Sequence, residues 1–282
     1  MIFINPKTDF AFKKIFGSDQ SKDILISFLN GILYSGESVV EDLEILNPYQ
    51  VPHIRGVKDT YLDVRAKITG DQTVIIEMQV LNVEGFEKRI LYNAAKAYSI
   101  QLGSGQAYTT LNPVIALTIT DFSMFEGHEF ISHYVLKEKS YLTDYISSDI
   151  ELVFVELPKF NKELNELQSL TDKWLFFVKK ARELNDIPPI MGEVSEIRHA
   201  FEIANQAGLS QAELDDLEHQ EFFIQDQMNA ILKAQKEGLK QGIEQGKKEQ
   251  AIAIARQLLD VLDDATITQT TGLSLEEIQN LK

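Results

Sequence analysis

Apolar and polar side chains alternate along residues 61–80, YLDVRAKITGDQTVIIEMQV. Successive side chains of a strand point to opposite faces, so Leu62, Val64, Ala66 and Ile68 share one face. Val74, Ile76, Met78 and Val80 share a face of a second strand. The pattern predicts a hairpin. Packing both apolar sets on one core fixes its parity, since a one-residue slip would turn a whole set outward. A three-residue loop, Gly70-Asp71-Gln72, meets that condition and pairs Asp63 with Gln79 and Arg65 with Glu77. Asp63, Arg65, Lys67, Glu77 and Gln79 then share the polar face, with Asp63 in diagonal reach of Glu77.

The same reading extends along the chain. Residues 7–15 start a helix that Thr8 or Asp9 can cap, with Phe12, Ile15 and Phe16 at helical spacing. Residues 23–33 predict a second helix ending near Gly31, and residues 39–46 a strand. Residues 85–102 predict a helix with Phe86, Ile90 and Ala97 among its apolar positions. The runs PVIALTIT (113–120) and IELVFVEL (150–157) read as buried strands. Alternating strands and helices point to an α/β sheet core. From residue 161 the chain reads as helical, with Trp174 as a packing anchor and a long polar helix over about 212–262. Two short helices around Gly272 follow. A boundary near residue 206 separates a core domain, 1–205, from a helical tail, 206–282.

Charge narrows the partners. The net charge is −16 over 282 residues, with no cysteine. Residues 1–120 carry 11 Lys+Arg against 13 Asp+Glu, and residues 121–282 carry 16 against 30. The acidic half is a poor match for phosphate, which binds Lys and Arg. The near-neutral half could meet phosphate through metal ions. Lack of cysteine excludes disulfide frameworks and thiolate zinc sites and fits the cytoplasm. No apolar run has transmembrane length, and MIFINPKTDF lacks the layout of a signal peptide.

On the hairpin, Asp63 and Glu77 are the pair that would suit Mg²⁺ or Mn²⁺, ions that keep waters for a substrate phosphate. A solvated face with Arg65 paired to Glu77 is the plainer alternative. Arg89, Tyr92 and Lys96 recur at helical spacing and could face DNA, although Tyr92 could equally be core. His128 and His133 fit neither a helix face nor a strand face and read as surface residues. Gly238, Gly242 and Gly246 form a smooth helical stripe, suited to a homodimer contact or to a mobile helix.

Taken in order, TDFAFKKIFG, LISFLNGIL, KDTYLDVRAKITGDQTVIIEMQV, RILYNAAKAYSIQLGSGQAY, LNPVIALTITDF, LPKFNKELNELQSLTDKWLFFVKKA, EGLKQGIEQG and TTGLSLEEI span almost the whole chain. Together they resemble the Rpn family of recombination-promoting nucleases, also described as transposases, in the PD-(D/E)XK superfamily. The resemblance implies an α/β restriction-endonuclease-like core with a helical C-terminal extension. It implies a DNA endonuclease of low sequence specificity that uses Mg²⁺ or Mn²⁺ and promotes recombination. Asp63 and Glu77 would be catalytic metal ligands, and Asp9 a third ligand or a helix cap. Gln79, the third catalytic candidate, stands where the superfamily usually has Lys; it can hold a water by hydrogen bonds, and Lys67, on the same predicted face, could partly replace the missing charge. Lys58, Arg89 and Lys96 are further candidates for phosphate. The competing class is a nonenzymatic DNA- or protein-binding module with a weakened nuclease site.

Overall fold

The computed structural model describes residues 1–50, 60–145 and 149–282, Gln50 by its backbone alone. The strands in chain order are β1 (Leu43–Ile45), β2 (Tyr49–Gln50), β3 (Thr60–Tyr61), β4 (Val64–Ile68), β5 (Thr73–Gln79), β6 (Val114–Thr120), β7 (Ile131–Tyr134) and β8 (Ile150–Glu156). The helices are α1 (Asp9–Phe16), α2 (Lys22–Leu33), α3 (Phe86–Ser99), α4 (Leu170–Lys180), α5 (Pro189–Gly192), α6 (Ser195–Ala204), α7 (Gln211–Leu258), α8 (Asp264–Thr271) and α9 (Leu275–Gln279). The chain divides into two compact units, Met1–Ile224 and Gln225–Lys282.

The first unit is α/β. Six strands form one sheet in the order β1-β4-β5-β6-β8-β7. β5, β6 and β8 run parallel, and the outer pairings are antiparallel. Parallel neighbours need a crossover, and α3 supplies it between β5 and β6. Every residue of β6 is buried, as a central strand covered on both faces requires. One face carries Val64, Ala66, Ile76, Leu117 and Val155 against α1, α2, α4 and α6. The other carries Ile75, Val114 and Ala116 against Ala94 and Ala97 of α3, with Phe86 and Ile90 of α3 on Phe154 of β8.

Trp174 anchors the larger core as predicted. Its ring lies 5.7 Å from those of Phe28 and Phe177, and its Nε1–H donates to Ser27 Oγ at 3.1 Å. The indole also explains why α2 runs through Gly31 instead of ending there. A Cβ at Gly31 would stand 2.9 Å from Trp174 Cδ1, so a glycine inside the helix makes room for the ring.

The hairpin keeps the predicted parity but not the predicted register. Arg65 pairs with Ile75 and Val64 with Ile76, two positions away from the expected pairing. The loop is Thr69-Gly70-Asp71, closed by Ile68 N–H to Gln72 O at 2.9 Å. Gly70 and Asp71 take φ of +78° and +61°, and this left-handed pair turns the chain one residue earlier on each side. The predicted strand at 39–46 is only Leu43–Ile45, because Asn30 accepts the backbone N–H groups of Val39 and Val40. β7 went unpredicted; His133 lies on it and meets Glu151 of β8 at 2.7 Å.

In the second unit, Ala255 of α7 packs with Ile267, Leu273 and Ile278 of the two short helices. Asp263 and Ser274 cap those helices, and Gly272 joins them at φ +75°. Among the described residues no helix is long and apolar enough to cross a membrane.

Candidate active site

A backbone irregularity builds the site. Between the pairs Ile45–Ala66 and Tyr49–Tyr61, one strand advances four residues and the other five. Leu62 N–H still bonds Pro48 O and Leu46 N–H bonds Arg65 O, so the extra residue is a β-bulge at Asp63–Val64, a device that re-aims side chains. Leu62 consequently packs on the α3 face with Ile75, while Val64 packs on the opposite face. The expected single face for Leu62, Val64, Ala66 and Ile68 is therefore broken at its first member. Asp63 leaves the ladder, and its carboxylate takes the N–H of Met78 at 2.6 Å. That N–H belongs to the residue after Glu77, so the two acids stand at the same end of the sheet.

The expected shared face for the two acids is not kept: Asp63 is gripped from the α1 side and Glu77 from the α3 side. Asp9 of α1 stands beside Asp63, and Lys13 reaches both, at 2.6 Å from Asp9 and 3.8 Å from Asp63. Thr8 is the helix cap, accepting the N–H of Ala11 at 3.3 Å, and that leaves Asp9 in the first turn facing Asp63. Glu77 projects to the α3 side. Arg89 Nε lies 3.4 Å from Glu77 Oε1, and Asn93 Nδ2 lies 3.5 Å from Oε2. Both Asp63 and Glu77 side chains are 14% exposed. Burial, reinforced by the Asp9 contact, pushes the Asp63 carboxyl up to about 8 against the pull of Met78 N–H and Lys13. Burial also raises Glu77, which Arg89 and Asn93 oppose.

Gln79 is fixed at both ends of its amide. Nε2 donates to Leu81 O at 2.6 Å, and Oε1 accepts from Arg89 Nη2 at 2.6 Å. Beside these groups opens a cleft of about 690 Å³ lined by Tyr61, Glu77, Arg89, Tyr92 and Asn93. Tyr61 is 70% exposed at its mouth and stacks on Tyr49 at 4.6 Å.

Two of the candidate cations fall elsewhere. Lys67 sits at the loop end of the hairpin, paired with Asp71 at 2.5 Å, because β4 runs away from the acids; it is not placed to replace a lysine at 79. Lys96 is buried within α3, so Arg89, Tyr92 and Lys96 do not form one exposed stripe. Lys58 lies outside the described residues. Arg89 and Tyr92 do reach the cleft. The expected Arg65–Glu77 pairing is not seen, since Arg65 stands opposite Ile75. The sequence reading missed Lys13 and Asn93. Their signal was spacing alone, each four residues after a candidate, Asp9 and Arg89 respectively.

Among the described residues no three or more acidic, His or Cys side chains stand together as a metal-holding group. Mg²⁺ and Mn²⁺ need less than that, since one or two carboxylates suffice where waters and phosphate complete the shell. The carboxylate oxygens of Asp63, Glu77 and Asp9 are the hard donor type such an ion takes. Asp9 beside Asp63 sets a like charge there that a cation would offset.

A family model described as PD-(D/E)XK nuclease family transposase matches residues 6–234. No curated protein and no solved structure matches the chain.

Proposed function

We infer, from the premise that this chain belongs to the PD-(D/E)XK nuclease family transposases, that it is a metal-dependent DNA endonuclease of low sequence specificity whose breaks promote recombination. The observation that carries this reading is the Met78 N–H to Asp63 bond of 2.6 Å, which ties the strand aspartate to the backbone beside Glu77. A buried carboxylate out of the ladder, with a second acid against it, costs stability and has no packing use. Such an arrangement is the mark of a functional site.

Asp63 and Glu77 would hold Mg²⁺ or Mn²⁺, with Asp9 beside Asp63. When bound, the cation supplies Lewis-acid stabilisation of the phosphate and a more acidic water. Hydrolysis forms a bond from a water oxygen to phosphorus and breaks one P–O ester bond, and the proton of the water ends on the departing oxygen. The protein's own part is to gather the acids and balance their charge. Lys13 serves Asp9 and Asp63, and Arg89 serves Glu77. The cleft is lined by Glu77 and Arg89 together with Lys88, Tyr92 and Asn93, which can meet a phosphate backbone.

The tail and the location belong to the same proposal. Among the described residues, nothing beyond the helix's own backbone and chain neighbours lies within 4 Å of where a Cβ would stand at Gly238, Gly242 or Gly246, which leaves room there for a second copy of the chain. A cysteine-free chain fits the cytoplasm. The test is nicking of supercoiled plasmid with Mg²⁺, with Mn²⁺ and with chelator. Cleavage that needs the metal and disappears in Asp63→Ala and Glu77→Ala supports the reading. Full activity in either folded variant overturns it.

A further inference from the structure

The resemblance implies a Lys at the strand position of Gln79; the chain has an amide there, yet a cation stands beside it. Arg89 Nη2 donates to Gln79 Oε1 at 2.6 Å, and Arg89 Nε lies 3.4 Å from Glu77 Oε1. The guanidinium also lies 5.1 Å from the ring centre of Phe86, which is buried. Three groups from two elements thus fix one charge. A guanidinium has five N–H donors in a rigid fork, and these contacts engage only two of them. The side chain is 41% exposed and lines the cleft, so the fork opens to the space a phosphate would enter.

Gln79 is shaped for this task. Its Nε2 is spent on Leu81 O at 2.6 Å, and that contact turns Oε1 toward Arg89. A lysine at 79 would offer no acceptor and would repel Arg89. Gln79 and Arg89 are therefore complementary, and the amide is more than a lost lysine. We propose that Arg89 contacts the phosphate being cleaved and that Gln79 is its positioning residue, so that α3 supplies the cation the strand lacks. This rests on the endonuclease reading above and deepens it.

The test compares wild type, Arg89→Met, Arg89→Lys, Gln79→Met and Gln79→Lys/Arg89→Met in steady-state plasmid nicking with Mn²⁺, with Glu77→Ala as the dead control and thermal melting as the fold control. Losing a fixed charge aimed at the transition state costs about 100-fold in kcat. Arg89→Met should lose about that much in kcat with a smaller change in KM. Arg89→Lys should keep part of it. Gln79→Met, with Arg89 present but unaimed, should fall by about 10-fold. The double variant returns a cation to the strand and should exceed Arg89→Met by about 10-fold or more. If Arg89→Met lowers the melting temperature, Arg89→Gln takes its place. A kcat for Arg89→Met within twofold of wild type, with Glu77→Ala inactive, would overturn the inference and leave the endonuclease reading intact. Equal loss in the single and double variants would also overturn it. No cleavage by wild type would remove the endonuclease reading and the inference with it.

Discussion

Asp63→Asn separates the cost of the site from its use. The asparagine keeps an oxygen for the Met78 N–H and presents an NH₂ to Asp9, so no hydrogen bond need be lost. It removes the buried charge. The Asp63 carboxyl is pushed up to about 8 from an ordinary value of 3.8, first by burial and then by Asp9. The unfolded chain sheds this proton near pH 4, whereas the folded chain holds it to about pH 8. The stabilising effect of that proton is thus full below about pH 4 and is lost as the pH rises to about 8. At about 1.4 kcal/mol per pKa unit, the ceiling is about 6 kcal/mol. Asp9 is half exposed and admits water to the pair, and that brings the expected effect to about 2 kcal/mol. In chelator at pH 9, Asp63→Asn should melt about 4–8 °C above wild type. At pH 4 the two should coincide. Glu77, also raised by burial, gives wild type the same direction of slope, and the variant retains only that part. Added Mn²⁺ should raise the melting temperature of wild type, since it binds the folded state, but not that of the variant. A variant melting below wild type at pH 9, or an unchanged pH slope, would refute the assigned environment of Asp63.

Gly31→Ala places a Cβ 2.9 Å from Trp174 Cδ1 and should cost about 1–3 kcal/mol by thermal or denaturant melting, although alanine is the better helix former. A chain ending at Ile224 should keep the melting temperature of the first unit and its cleavage, and light scattering should show lower self-association than for the full chain. A chain ending at Asn205 loses Glu213 from Lys14, Gln220 from the Phe10 N–H and the buried Leu217, and should be destabilised by about 2–4 kcal/mol.

What the sequence revealed follows from how local each cause is. The nearly continuous apolar runs of β6 and β8 read as buried strands, and their boundaries match within a residue, although the first three residues of β8 are only half-buried. Alternation in the hairpin set the parity of 64, 66, 68 with 74, 76, 78, because parity depends only on which face is wet. Register depends on φ signs at Gly70 and Asp71, and Asp71 does not announce a positive φ. The bulge at Asp63–Val64 left no mark either, since the neighbouring Leu62 is apolar and finds a core on whichever face it meets. That single slip explains why Asp63 was expected beside Lys67 and Arg65 and is instead found against Asp9. Lys96 was read as exposed because a cation at helical spacing usually is, but the tight packing of Ala94 and Ala97 on the sheet draws it inward. β7 is a short edge strand with mixed polarity, ISHY, and its pairing with β8 gives it form.

The central claim is that Asp63 and Glu77, held from α1 and α3 respectively, serve one divalent ion. Electron paramagnetic resonance of Mn²⁺ titrated into the full-length wild type, Asp63→Asn and Glu77→Gln tests it most directly. The account predicts a saturable site in wild type that is lost in each variant, while both variants retain their fold by circular dichroism. Mn²⁺ binding that survives Glu77→Gln unchanged would show that the two acids do not share an ion, and would contradict the account.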